Sequence, residues 1–150
     1  MKISIIIPCY NEELSIKKLV NNCLENIHDK IEIILVDNGS SDNTFEILKG
    51  LSLPFNIIPL RLNNNIGYGN GIMAGLKQSK GEIVSWTHAD LQTDISDIIR
   101  GYNLHKKELL NKTCVVKGER KKRNIFDAFF TFSMGLYCSI LLGKWLYDIN

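Results

Sequence analysis

Residues 2–8, Lys-Ile-Ser-Ile-Ile-Ile-Pro, form a near-continuous β-branched run closed by Pro8, with the polar pair Asn11 and Glu12 following at once. A strand that is apolar on both faces has to be covered on both, as in the centre of a parallel sheet flanked by helices. The chain then alternates. Asn11 and Glu12 open a helix whose apolar positions Ile16, Leu19, Val20, Cys23, Leu24 and Ile27 keep helical spacing. Residues 31–36 read as a second buried strand and 37–42, Asp-Asn-Gly-Ser-Ser-Asp, as a turn-rich loop. Asn43 and Glu46 have capping-box spacing for a short helix through Leu48.

The same rhythm continues. Residues 55–60 form a third strand, where Pro59 suits an edge or a strand end. A glycine-rich stretch at 63–71 enters a helix carrying Ile72, Met73 and Leu76 toward Ser79. Ile83, Val84 and Trp86 follow the turn glycine Gly81 as a fourth strand. Asp94 can cap a helix with Ile95, Ile98, Ile99, Tyr102 and Leu109 near one face, before a fifth strand at 113–116. Repeated apolar strands and helices imply an α/β layer fold with a mainly parallel sheet, whose ligands lie beyond the C-terminal strand ends.

Those ends hold the polar clusters: Asn11 and Glu12 after the first strand, Asp37 after the second, His88, Asp90 and Gln92 after the fourth, Gly118 and Arg120 after the fifth. His88, Asp90 and Gln92 stand at alternate positions, so an extended backbone would put an imidazole, a carboxylate and an amide oxygen on one face. They could hold a divalent cation, and a nitrogen ligand favours Mn2+ over Mg2+. A solvated strand end is the plainer reading of the same spacing.

At 150 residues, 45% apolar and 23% charged, the chain has the balance of one soluble globular domain. A net charge of +2 does not argue for nucleic acid as a partner. The four cysteines, Cys9, Cys23, Cys114 and Cys138, lie far apart in apolar surroundings and read as reduced, buried thiols. The apolar run at 3–7 is too short for a signal peptide, so a cytoplasmic location is expected. Lys117, Arg120, Lys121, Lys122 and Arg123 put five positive charges in seven positions. They form either a solvated turn or a clamp for phosphate or anionic lipid. The segment 125–146 is strongly apolar, but only 16 residues separate Asp127 from Lys144, which favours a buried or interfacial helix over a spanning one.

Four stretches in order resemble family 2 glycosyltransferases: Ile5-Ile6-Ile7-Pro8-Cys9-Tyr10-Asn11-Glu12, Val36-Asp37-Asn38-Gly39-Ser40-Ser41-Asp42, Asn65-Ile66-Gly67-Tyr68-Gly69 and His88-Ala89-Asp90-Leu91-Gln92. The chain looks most like the branch with dolichol-phosphate mannose synthase and bacterial polyprenyl-phosphate sugar transferases. The resemblance implies a three-layer α/β/α GT-A (Rossmann-like) fold with a donor-binding core at 1–123 and an incomplete acceptor- or membrane-facing part at 124–150, in one domain overall. By that similarity Pro8, Tyr10, Glu12, Gly67 and Asp90 would bind the nucleotide-sugar, and Asp37 would accept a hydrogen bond from the base. Asp90 with Gln92 and His88 would hold Mn2+ or Mg2+ at the diphosphate, and Asp90 and Arg120 would be catalytic. The family usually has aspartate where this chain has His88. Asp148-Ile149-Asn150 looks like the start of an acceptor-side motif, so the chain resembles a fragment, and the uncovered 125–146 segment would favour homo-oligomers.

The resemblance implies an inverting transfer from a UDP- or GDP-sugar to a lipid phosphate or saccharide, with peripheral contact through 117–146 at the inner membrane face. A nucleotide-sugar-binding module that has lost turnover is the alternative. A dinucleotide-binding oxidoreductase fits poorly, because Pro8-Cys9-Tyr10-Asn11 follows the first strand where a Gly-x-Gly-x-x-Gly turn would be needed.

Overall fold

The structure, a computed structural model, describes residues 2–112, 114–118 and 125–143. They divide into two compact units, Met1–Val116 and Lys117–Asn150. The first unit contains β1 (Ile3–Cys9), α1 (Ile16–Asn26), β2 (Ile31–Asp37), α2 (Thr44–Gly50), β3 (Ile57–Arg61), α3 (Tyr68–Gln78), β4 (Ile83–Trp86), α4 (Ile95–Leu104) and α5 (Lys106–Leu110). The second contains α6 (Ile125–Leu142).

The four strands form a parallel sheet in the order β3-β2-β1-β4. β1 and β2, at its centre, are buried along their whole lengths, which is why both read as largely apolar runs; the exceptions inside them, Ser4 and Glu32, are buried and bond each other, the Ser4 hydroxyl donating to Glu32 Oε1. Pro59 falls in the edge strand β3, where its missing N–H costs no ladder bond. Alternate residues feed opposite faces. Ile3, Ile5, Ile7, Cys9, Ile31, Ile33 and Leu35 pack with Ile16, Leu19, Val20 and Cys23 of α1, Leu48 of α2 and Ile95 of α4. Ile6, Ile34 and Val36 pack on the other face with Leu76 of α3 and with Ile58, Leu60 and Val84. Each fully buried isoleucine or leucine contributes about 1.5–3 kcal/mol, so these two clusters dominate the stability of the unit. α3 sits close enough to the sheet that a Cβ on Gly75 would fall 2.5 Å from Ile6 Cγ2.

This arrangement is the three-layer α/β/α sheet expected. Its order also follows from right-handed crossovers. The chain moves outward from β1 through α1 to β2 and through α2 to β3, then returns through α3 to β4 on the far side of β1. Among the described helices of the first unit, the reversal puts α3 on the face opposite α1, α2 and α4.

Several local expectations are corrected. The fifth strand at 113–116 is absent over its described part: Cys114–Val116 joins no ladder, and Val116 instead lies against Gly101 of α4. β-branched residues make a strand only where an edge accepts them. The helix after Asp94 breaks at His105 into α4 and α5. α1 begins at Ile16, after a turn in which Asn11 takes φ 55. At α2 the cap is not Asn43, whose side chain makes no cap bond; Asp42 Oδ1 accepts from Thr44 N at 3.0 Å. All four cysteines are free, but only Cys9 and Cys23 are buried. Desolvation, with the nearby charges of Glu12, Cys23 and Asp37, pushes the Cys9 thiol far up, and burial pushes Cys23 up to about 12, so neither is a thiolate near neutral pH.

Among the described residues no helix is long and apolar enough to cross a membrane. In α6, Phe132, Met134, Leu136, Tyr137, Ile140 and Leu141 are exposed, whereas Gly135 and Ser139 are buried.

Candidate functional site

At the C-terminal rim of the sheet a cleft of about 190 Å³ is lined by Pro8, Cys9, Tyr10, Asn38, Asn65 and Tyr68. A cavity of about 210 Å³ lies at the opposite pole, against Lys2, His28, Lys30, Tyr102 and Lys106. The rim is where a parallel α/β sheet binds ligands, so the first of these is the candidate site.

Its frame is a lattice of hydrogen bonds between the loops after β1 and β2. Asn11 N donates to Ser40 Oγ at 3.0 Å, Glu12 N to Thr44 Oγ1 at 2.8 Å and Glu13 N to Asp42 Oδ2 at 3.1 Å. In return Ser41 N donates to Asn11 Oδ1 at 2.9 Å and Asn43 N to Glu13 Oε2 at 3.1 Å. This lattice explains why asparagine occupies position 11: it tolerates the left-handed backbone and supplies an acceptor there. Desolvation alone would raise the Asp42 carboxyl, but bonds from the Thr44 hydroxyl and from the backbone N–H groups of Thr44, Glu13 and Asp42 itself outweigh it and hold it low.

A second staple crosses from β2 to the loop before α3. Asn38 Nδ2 donates to Asn65 Oδ1 and to the Gly67 carbonyl, both at 3.2 Å, and Asn38 Oδ1 accepts from Ile66 N at 3.2 Å. The buried amide of Asn38 thereby builds one wall of the cleft. Gly39 allows the approach: it has φ +70, and a Cβ would meet the Asn64 carbonyl carbon at 2.3 Å. The first turn of α3 has no side-chain cap at Gly67, so its free N–H groups give that end of the helix a partial positive charge suited to phosphate.

Asp37 ends β2, paired in register with Cys9. Its side chain is wholly buried. Oδ1 accepts from Ser40 N at 3.1 Å, but Oδ2 has no hydrogen-bond partner. Arg61 Nε stands 3.7 Å from Oδ2, close enough for Coulomb attraction but too far for a hydrogen bond. The guanidinium lies over the Phe45 ring at 4.7 Å, which fixes it there. A buried carboxylate oxygen without a donor is costly, and a ligand N–H would satisfy it.

After β4 the backbone turns. Leu91 has φ 60, and Gln92 N donates to Asp90 Oδ1 at 3.0 Å, so the extended geometry behind the spacing of His88, Asp90 and Gln92 is not realised. The ladder stops there because, after Thr87 N donates to the Ile6 carbonyl, the next donor on β1 would be Pro8, which has no N–H. His88 instead stacks on Tyr68, with ring centroids 4.8 Å apart and planes 6° from parallel. Burial first, and then the charge of Asp90, raise the Tyr68 phenol, which puts Asp90 in the electrostatic neighbourhood of the stack. Among the described residues no group of three or more histidine, cysteine or acidic side chains could hold a metal. His88 and Asp90 do fit the other mode of binding, in which one or two protein ligands share a cation with substrate phosphates and water.

Of the residues expected at the site, Pro8 and Tyr10 line the cleft, and Gly67 is bound to its wall. Glu12 turns its carboxylate to the Ser15 hydroxyl. Arg120 lies outside the described residues. Asn38, Asn65, Tyr68 and Arg61 gained no role from the sequence. The first three stand inside motifs quoted above, but their part depends on which loops meet.

The family model described as glycosyl transferase family 2 matches residues 4–134. The chain belongs to this family. A curated relative, the undecaprenyl-phosphate 4-deoxy-4-formamido-L-arabinose transferase of Proteus mirabilis, is 38% identical over 104 residues, 66% of this chain and 32% of the relative. This family 2 chain thus spans about a third of the length of the curated relatives it matches. S. aureus TarS in complex with UDP-GlcNAc superposes with a TM-score of 0.60 at 28% identity, over 71% of this chain and 32% of that one. A mannosyltransferase of Pyrobaculum calidifontis in complex with GDP-Man and Mn2+ gives a TM-score of 0.55 at 26% identity, over 59% and 27%. The layer order and these neighbours together establish the GT-A fold.

Proposed function

We propose that the chain carries the donor site of an inverting glycosyltransferase that moves a sugar from a UDP- or GDP-sugar to a polyprenyl phosphate at the cytoplasmic membrane face. The observation that carries this reading is the orphaned, fully buried Oδ2 of Asp37, whose register partner Cys9 and chain neighbour Asn38 line the cleft at the strand ends. Uracil and guanine both offer an N–H to such an acceptor. Tyr10 at the cleft mouth supplies an aromatic face, and the uncapped start of α3 faces phosphate chemistry. The UDP-GlcNAc and GDP-Man complexes of similar proteins, and the undecaprenyl phosphate in the relative's name, support the donor and acceptor classes.

The chemistry asks little of a base. A lipid phosphate is already anionic at neutral pH, and its direct attack on the anomeric carbon inverts that centre. The harder task is to stabilise the departing nucleoside diphosphate. A divalent cation, held by His88 and Asp90 with Gln92 beside them, would neutralise that charge. Arg120 would add to it from the basic segment 117–123.

Calorimetric titration with UDP, GDP and NAD, each with and without Mn2+, tests the reading. Binding of UDP or GDP that weakens without Mn2+ and in Asp90→Ala is expected. A folded chain that binds no nucleotide overturns it. His88, in place of the usual aspartate, favours a second reading as a binding module without turnover. Metal-dependent hydrolysis of the donor separates the two, since a binding module holds the nucleotide-sugar intact.

A further inference from the structure

The stacked pair Tyr68–His88 brings together the start of α3 and the turn after β4, which are 20 residues apart in sequence. The Tyr68 hydroxyl lies 3.4 Å from His88 Nε2, a separation that could pass for a hydrogen bond. The ring geometry argues otherwise. The lone pair of an imidazole nitrogen lies in the ring plane, and planes only 6° from parallel put the phenol oxygen above the ring rather than along that lone pair. The contact is therefore face to face, of the offset kind that aromatic rings prefer. Among the described residues neither ring nitrogen has an in-plane hydrogen-bond partner.

Tyr68 is itself held. It follows Gly67, whose carbonyl is bound by Asn38, and it lines the cleft opposite Pro8 and Tyr10. The imidazole thus rests on a braced ring that itself lines the cleft.

We infer that Tyr68 is a positioning residue: it holds the His88 ring by its face, so that an unprotonated ring nitrogen is offered edge-on to a divalent cation shared with the donor diphosphate. The inference rests on the donor-site reading for the diphosphate, but the platform itself can be observed without any ligand. Residues that orient a metal-binding histidine commonly change metal affinity by about 10–100-fold. Here the orienting group acts through stacking, so Tyr68→Phe should keep the effect and Tyr68→Leu should lose it.

Proton and nitrogen NMR of the His88 ring provides the test. In the ligand-free chain the imidazole protons should show a ring-current displacement in the wild type and in Tyr68→Phe that collapses in Tyr68→Leu. Mn2+ added with UDP should broaden the same protons at matching concentrations in the first two proteins, whereas Tyr68→Leu should need roughly tenfold more. Equal Mn2+ titrations in wild type and Tyr68→Leu would overturn the inference, as would the absence of any ring-current displacement in the wild type. UDP binding without broadening of His88 would overturn it too, and leave the nucleotide site standing. Broadening that persists while UDP fails to bind would instead sink the donor-site reading and keep the platform.

Discussion

At the scale of single residues, Asp37 holds the greatest leverage. Its unpartnered Oδ2 should make nucleotide binding unusually sensitive to loss of that acceptor. Asp37→Asn replaces half of the carboxylate with a donor, and a charge-assisted hydrogen bond of about 2 kcal/mol predicts a roughly 30-fold weaker UDP or GDP affinity by calorimetry. The new amide nitrogen would take the place of Oδ2 as a buried donor facing the Arg61 guanidinium, so urea unfolding should also show a loss of about 1–3 kcal/mol. Position 88 offers a complementary change. Replacing imidazole by carboxylate in His88→Asp gives an oxygen ligand, so the preference for Mn2+ over Mg2+ in nucleotide binding should narrow. At Gly39, alanine would carry a Cβ into the Asn64 backbone at φ +70, with a predicted loss of roughly 2–4 kcal/mol in urea unfolding and a weaker nucleotide site.

At the scale of elements, the loop lattice has a pH signature. Asp42 and Asp94 both have lowered carboxyl pKa values. In Asp42, hydrogen bonds from Thr44 and Glu13 outweigh desolvation, and in Asp94 the Ser96 backbone N–H is the main cause. A carboxyl that titrates lower when folded than when unfolded stabilises fully above the ordinary value of 3.8 and ceases to do so as pH falls through the folded value. Stability should therefore drop on acidification below that value, and the acid limb of the urea midpoint should flatten in Asp42→Asn. These two residues also mark what could and could not be read from sequence. Asp94 was legible as a cap, because capping is a local rule, and its side chain does accept from Ser96 N at 2.8 Å. At Asn43 the local capping-box rule failed: Asp42 sits where it can bond both Thr44 and the Glu13 amide of another loop, and tertiary context decided between neighbours. The strands at 2–8 and 31–36 were legible for the opposite reason. Burial on both faces writes itself into nearly every position of a strand, Ser4 and Glu32 excepted, whereas Cys114–Val116 has strand composition without a ladder partner.

At the scale of the whole molecule, both apolar clusters are built from residues of the first unit. A fragment of residues 1–116 should accordingly fold cooperatively, with a urea midpoint near that of the full chain, and retain nucleotide affinity. A broad, non-cooperative transition would show that the second unit is needed for the core. The second unit answers to a different test. The exposed Phe132, Leu136, Ile140 and Leu141 of α6 suit an interfacial helix, so the full chain should co-float with anionic phospholipid vesicles, and Phe132→Asp with Ile140→Asp should release it. The cross-loop lattice at the rim of the first unit has a kinetic counterpart. Asn11, Glu13, Ser41 and Asn43 satisfy one another within the chain, so the ordering of these loops is completed in folding and not left for binding. A rim that needs no closure should admit its ligand at a rate set by encounter, and differences among nucleotides will then lie in how long each one stays.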